Sequence, residues 1–155
     1  EASLRGSGAV ATVGYSIEWF MPGSFFEKLG YVVHERRGGE ALYVKSLGDA
    51  GGQWTARLPA PRYSFRPVEG RVAVDLFWNT FCQTSRIEAA RVREVAAEFG
   101  DKVVLREYCA DDADVLRAHE LPRAIFVNGK EVGWGCEAPR EGLRKVLSEA
   151  VSRLS

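Results

Sequence analysis

The chain has 155 residues, 46% of them hydrophobic and 11% aromatic, and its 21 basic residues balance 21 acidic ones. A net charge of zero supplies no electrostatic grip on a phosphate backbone or an anionic bilayer, and no run of about 18 apolar residues exists to span one. Nucleic acid and membrane are therefore not the expected partners, and the composition favours a packed core, in one domain or two small ones, over disorder.

Three cysteines, Cys82, Cys109 and Cys136, are too few and too widely spread for the disulfide scaffold of a small secreted protein. The opening residues, Glu1 to Gly8, carry no initiator Met and no basic-then-apolar leader pattern. The expectation is a cytoplasmic protein whose chain starts inside a longer one or after removed or disordered residues.

In chain order, residues 8–17 read as a strand rich in β-branched residues, and Pro22-Gly23-Ser24 as a turn and cap. Phe25 to Leu29 reads as a short helix closed by Gly30. Tyr31 to Arg36 and Ala41 to Lys45 then form a hairpin around Arg37-Gly38-Gly39-Glu40. Residues 48–69, rich in Gly and Pro with Trp54, Tyr63 and Phe65, read as an ordered connector whose apolar residues lie against a flanking unit.

Beyond the connector the pattern alternates. Val72 to Trp78 suits a central strand. Residues 84–99 suit a helix with Ile87, Ala90, Val92, Val95, Ala96 and Phe99 inward and Gly100 at its end. Val103 to Tyr108 is a second strand and Asp111 to His119 a short helix with Asp caps. After Pro122, strands 124–127 and 131–134 flank Asn128-Gly129, a strong hairpin signal, and a last helix covers 139–153. The order is β-α-β-α-β-β-α.

That order, with Trp78-Asn79-Thr80-Phe81-Cys82-Gln83-Thr84-Ser85 at the strand-to-helix junction and Leu121-Pro122 before a strand, resembles the thioredoxin fold over residues 70–155. The resemblance implies an α/β domain in which Cys82 matches the first cysteine of W-x-x-x-C-x-x-C and Pro122 the family's cis-proline. Ser85 stands where the second cysteine would be, so a dithiol cycle within the motif cannot run.

The physical chemistry of the site stands beside that resemblance. A cysteine in the first turn of a helix faces unpaired N–H groups and the positive dipole end, which favour thiolate. Ser85, one turn on, is expected to donate a hydrogen bond to it. In the implied topology Cys82, Cys109, Cys136 and Pro122 emerge on one sheet edge. Three readings follow: Cys82 attacks and Cys109 or Cys136 resolves, the three thiolates bind a soft metal, or the cysteines are small buried residues.

The segment Ser24-Phe25-Phe26-Glu27-Lys28-Leu29-Gly30-Tyr31, with the hairpin after it, resembles the end of the GNAT acetyltransferase fold over residues 8–47. Phe26 stands where many members carry a general-acid Tyr, and Arg5-Gly6-Ser7-Gly8 mimics the pyrophosphate loop but leads into a strand. Both halves together resemble acetyltransferases with a YoaP-like C-terminal domain. The expected organisation is a partial GNAT-like segment 1–47, connector 48–69 and thioredoxin-like domain 70–155. No cofactor is expected in this chain, with acetyl-CoA reserved for a complete parent protein.

Two function classes compete. One is a thioredoxin-like module with a single reactive thiol acting on a small molecule or protein thiol. The other is a non-catalytic thioredoxin-like domain that positions a partner or substrate, and a homodimer through exposed strand edges is also anticipated. His34 and His119 read as surface or satisfied histidines. Asp111, Asp112 and Asp114 read as N-cap and first-turn acids, and Arg91, Arg93, Glu94 and Glu98 as a solvated helix face.

Overall fold

In the computed structural model, residues 4, 6–18, 21–48, 55–133 and 139–154 are described. Among them are seven strands and four α-helices, a mixed α/β chain that divides into two compact units, Glu1–Pro59 and Ala60–Ser155. No helix among the described residues is long and apolar enough to cross a membrane.

The first unit holds β1 (Ala11–Ile17), α1 (Gly23–Lys28), β2 (Val32–Arg37) and β3 (Glu40–Ser46). Both β1 and β2 pair antiparallel with β3, giving the sheet order β1-β3-β2. Residues 8–10, expected to open the first strand, precede it. One sheet face packs on α1 through Phe26, whose ring stacks on Tyr43 at 5.4 Å and meets Tyr31 edge-on at 5.7 Å. A Cβ on Gly14 would stand 2.3 Å from the Phe26 ring, so glycine there lets β1 approach the helix. Gly30, at φ +79, turns the chain out of α1 as its sequence position predicts.

The expected connector is divided between the units. Leu58, fully buried, donates its N–H to Glu35 of β2 at 2.6 Å. Ala60 and Arg62, in the second unit, are instead held by Glu120, a buried residue in the left-handed region at φ +50. Trp54 lies outside the described residues.

The second unit holds β4 (Val72–Trp78), α2 (Gln83–Ala97), β5 (Val103–Cys109), α3 (Ala113–His119), β6 (Ala124–Val127), β7 (Lys130–Val132) and α4 (Arg140–Ser152). The sheet order is β5-β4-β6-β7, with β4 parallel to β5 and the other pairings antiparallel. Asn128 and Gly129, at φ +47 and +80, make the predicted tight turn. Val72, Val74 and Leu76 face α2 and α4 in the larger core, through Val92, Val95, Leu143 and Leu147. On the other face Phe77, Leu121, Ala124 and Phe126 cluster under Tyr63 and Tyr108. A strand buried on both faces reads as the apolar run seen at 72–78, broken only by Asp75.

Two expectations are corrected. Ile87 and Ala90 do not face inward: Ile87 is 43% exposed and Ala90 is exposed, while Ser85, Glu88 and Ala89 are buried. At about 100° per residue, the buried stripe through 85, 88, 89, 92, 95 and 96 leaves positions 87 and 90 on its flanks. No cis peptide bond occurs among the described residues, so the Leu121–Pro122 bond is trans, unlike that of the family the sequence resembles.

Candidate functional site

The site lies where β4 gives way to α2. The chain leaves the sheet at Trp78, which is paired in register with Cys109 at the parallel end of β5. Asn79, only 2% exposed, organises the turn that follows. Its Oδ1 accepts the Cys82 N–H at 2.9 Å, its Nδ2 donates to the Pro122 carbonyl at 2.9 Å, and its N–H donates to Ser85 Oγ at 3.0 Å. An Asn side chain that bonds backbone three residues on is a familiar turn device, here made rigid by burial. Thr80 adds a second tether, giving its N–H to Asp111 at 3.0 Å and its hydroxyl to the same carboxylate. These bonds hold Asp111 below the ordinary carboxylate range, with help from the Cys109 thiol. Asp112 takes the predicted N-cap role, accepting the Asp114 N–H at 2.8 Å, and Asp114 lies in the first turn as predicted.

Cys82 occupies the N-cap position of α2. Its sulfur lies 3.0 Å from Thr84 Oγ1 and 4.0 Å from a guanidinium nitrogen of Arg123, which also reaches Thr84 Oγ1 at 3.3 Å. The Thr84 hydroxyl is the main cause that lowers the Cys82 thiol's pKa, and the backbone N–H groups of Ser85 and Thr84 and the Arg123 charge act in the same direction against desolvation. The arrangement can stabilise a thiolate at a half-exposed position, where a nucleophile can meet a substrate.

Of the expected site residues, Cys82, Ser85 and Pro122 share one hydrogen-bonded loop. Ser85 contributes differently from expectation: its hydroxyl is buried against Asn79, and its backbone N–H serves the sulfur. Pro122 enters through its carbonyl. Cys109 is a free thiol on the same sheet edge, joined to the loop through Asp111 and Thr80. Cys136 lies outside the described residues, as does Trp134. Among the described residues no group of three His, Cys, Asp or Glu side chains is placed to hold a metal, and the three-cysteine reading turns on Cys136.

Asn79, Thr84 and Arg123 were not anticipated. Arg123 follows Pro122 directly, so a cation beside the motif proline was its only sequence signal. Trp78, whose expected role is core or rim packing, takes that role. It packs on the larger core with the Arg93 guanidinium 4.7 Å from its ring centre. Arg93 in turn makes a bidentate pair with Glu107, so the helix face read as merely solvated is tied to β5. Phe81, by contrast, stands 77% exposed next to Cys82.

In the first unit the residues after Gly6 run into β1 and not into a helix N-terminus, so they do not fit a pyrophosphate-binding loop. Phe26 is a core residue. No protein family matches this chain, and no curated protein does.

Proposed function

We propose that residues 70–155 form a thioredoxin-like, YoaP-like module whose Cys82 is an activated single thiol for exchange with a partner disulfide or thiol. The contact that carries this reading is the 3.0 Å approach of Thr84 Oγ1 to Cys82 Sγ, at a helix start with Arg123 alongside. In the proposed reaction the Cys82 thiolate attacks one sulfur of a partner disulfide. A mixed disulfide forms and the other sulfur leaves as thiolate. A thiolate from solution that attacks the partner's sulfur then forms a new disulfide with it and releases Cys82 as thiolate. Cys109 or Cys136, attacking Cys82 Sγ instead, forms a disulfide with Cys82 and releases the partner's sulfur as thiolate. Ser85 cannot take that part, so the resolving group comes from outside the motif.

Iodoacetamide labelling of Cys82 across pH, read by peptide mass, tests the activation. The expected midpoint lies below that of an ordinary thiol, and a midpoint at about 8.5 overturns the reading.

The exposed Phe81 favours a second reading, a thioredoxin-like docking module without turnover. An ordinary Cys82 titration would remove the first reading and leave this one. For residues 8–47 we carry the GNAT resemblance as a statement about the parent protein. Calorimetric titration with acetyl-CoA checks it, with no heat expected from this chain alone.

A further inference from the structure

We propose that the second unit carries a binding cleft, separate from the thiol, for a small planar aromatic molecule bearing one anionic group. The cleft encloses about 350 Å³ and is lined chiefly by Arg62, Tyr63, Arg66, Phe77, Tyr108 and His119. A cleft of that size, lined by aromatic rings and charged groups in similar measure, has room for a small ring-bearing anion.

Its aromatic part is built from stacked pairs. Tyr63 stacks on Phe126 at 3.8 Å and Phe77 on Tyr108 at 4.5 Å, while His119 meets Phe77 and Tyr108 edge-on at 5.1 and 5.2 Å. Both tyrosine hydroxyls are turned away, toward the buried Asp75 carboxylate, at 2.7 Å from Tyr63 and 3.4 Å from Tyr108. What the half-buried Tyr63, Tyr108 and His119 offer the cleft is therefore ring surface.

Charge at the cleft does not cancel. Asp75 is matched by Arg106 at 2.6 and 2.8 Å, and Glu120 by Arg62. Arg66 forms no ion pair among the described residues, and its charge is felt at the Tyr108 hydroxyl. One uncompensated guanidinium beside ring faces suits a single carboxylate, sulfonate or phosphate on an aromatic ring. This site does not rest on the reactivity of Cys82.

The test is a titration of the uniformly ¹⁵N-labelled chain with phenyl phosphate, followed by amide shifts. Saturable shifts are expected at Tyr63, Arg66, Tyr108 and His119. Inorganic phosphate and benzyl alcohol, each carrying half of the chemistry, should leave them in place. Arg66→Gln should weaken binding about tenfold, the loss of one charged hydrogen bond, while Arg153→Gln should not change it. Absence of saturable shifts, equal shifts with inorganic phosphate, or an affinity unaffected by Arg66→Gln would each overturn the proposal.

Discussion

The two units solve the same problem differently. In each, a central strand has a continuous buried stretch: Ala41 to Val44 of β3 in the first, and Val72 to Phe77 of β4 in the second, apolar but for Asp75, all under 9% exposed. Around β4 the neighbouring strand β6 is also buried along its whole length, with core on both faces. Around β3 the neighbours leave apolar side chains in solvent, with Val13 55%, Tyr15 42%, Val32 68% and Val33 46% exposed. The unit with the doubly covered strand is also the one that carries the chemistry-bearing loop. Residues 79–82 hang from the rigid end of β4, and such support is what a reactive group needs to hold its geometry.

The contrast is broken most sharply by cutting into β4. Leu76 is fully buried in the larger core, so Leu76→Ala should cost about 3–4 kcal/mol in urea denaturation of the second unit. A loss below about 1 kcal/mol would mean that this core repacks freely and is no more constrained than the first unit. Asp75→Asn comes next. It leaves Arg106 without its counter-charge and weakens what Tyr63 and Tyr108 donate to, on the opposite face of the same strand. Because the Arg106 side chain keeps 24% exposure, about 2 kcal/mol is expected and not the full cost of a stranded buried ion.

Much of this arrangement was legible in the residues. The β-branched runs, the Asn128-Gly129 turn and Gly30 marked where elements begin and end, because local sterics decide those positions. Cys82 was found by its place at a strand-to-helix junction. What stayed hidden depends on tertiary partners. Ile87 and Ala90 look as apolar as Val92, and only the direction of the sheet decides which side of α2 is buried. Thr84 and Asn79 are common residues whose roles arise once Cys82 and Pro122 are brought within 3 Å or so of them, and Arg123 lies 41 residues from Cys82 in the chain. The split of residues 55–66 between the two units likewise depends on Glu35 and Glu120, which no local pattern connects.

A smaller effect is expected at the thiol. The fold lowers the Cys82 pKa, so the folded state favours thiolate more than the unfolded chain does. The stabilisation is therefore present above the unfolded value of about 8.5 and is lost as pH falls through the folded value. Comparing wild type with Cys82→Ser from about pH 6 to about pH 10, the wild type should gain stability relative to the variant as pH rises. Thr84→Val removes the leading cause, so it should move the iodoacetamide midpoint upward and shrink that gain. A midpoint that stays in place would assign the activation to the helix start and Arg123 alone.

The smallest effect should come from the exposed strand of the first unit. Val32 is paired with Val44 across β2 and β3, yet 68% of it is in solvent. Replacing it by Thr keeps the branched shape and strand preference while exchanging a methyl for a hydroxyl. In a site open to water this should change stability by no more than about 0.5 kcal/mol, against the several lost at Leu76. If Val32→Thr instead costs more than about 1 kcal/mol and the loss grows with protein concentration, the face is covered in solution by a second copy. The strands beside β3 would then be covered as β6 is beside β4, with the covering supplied between chains.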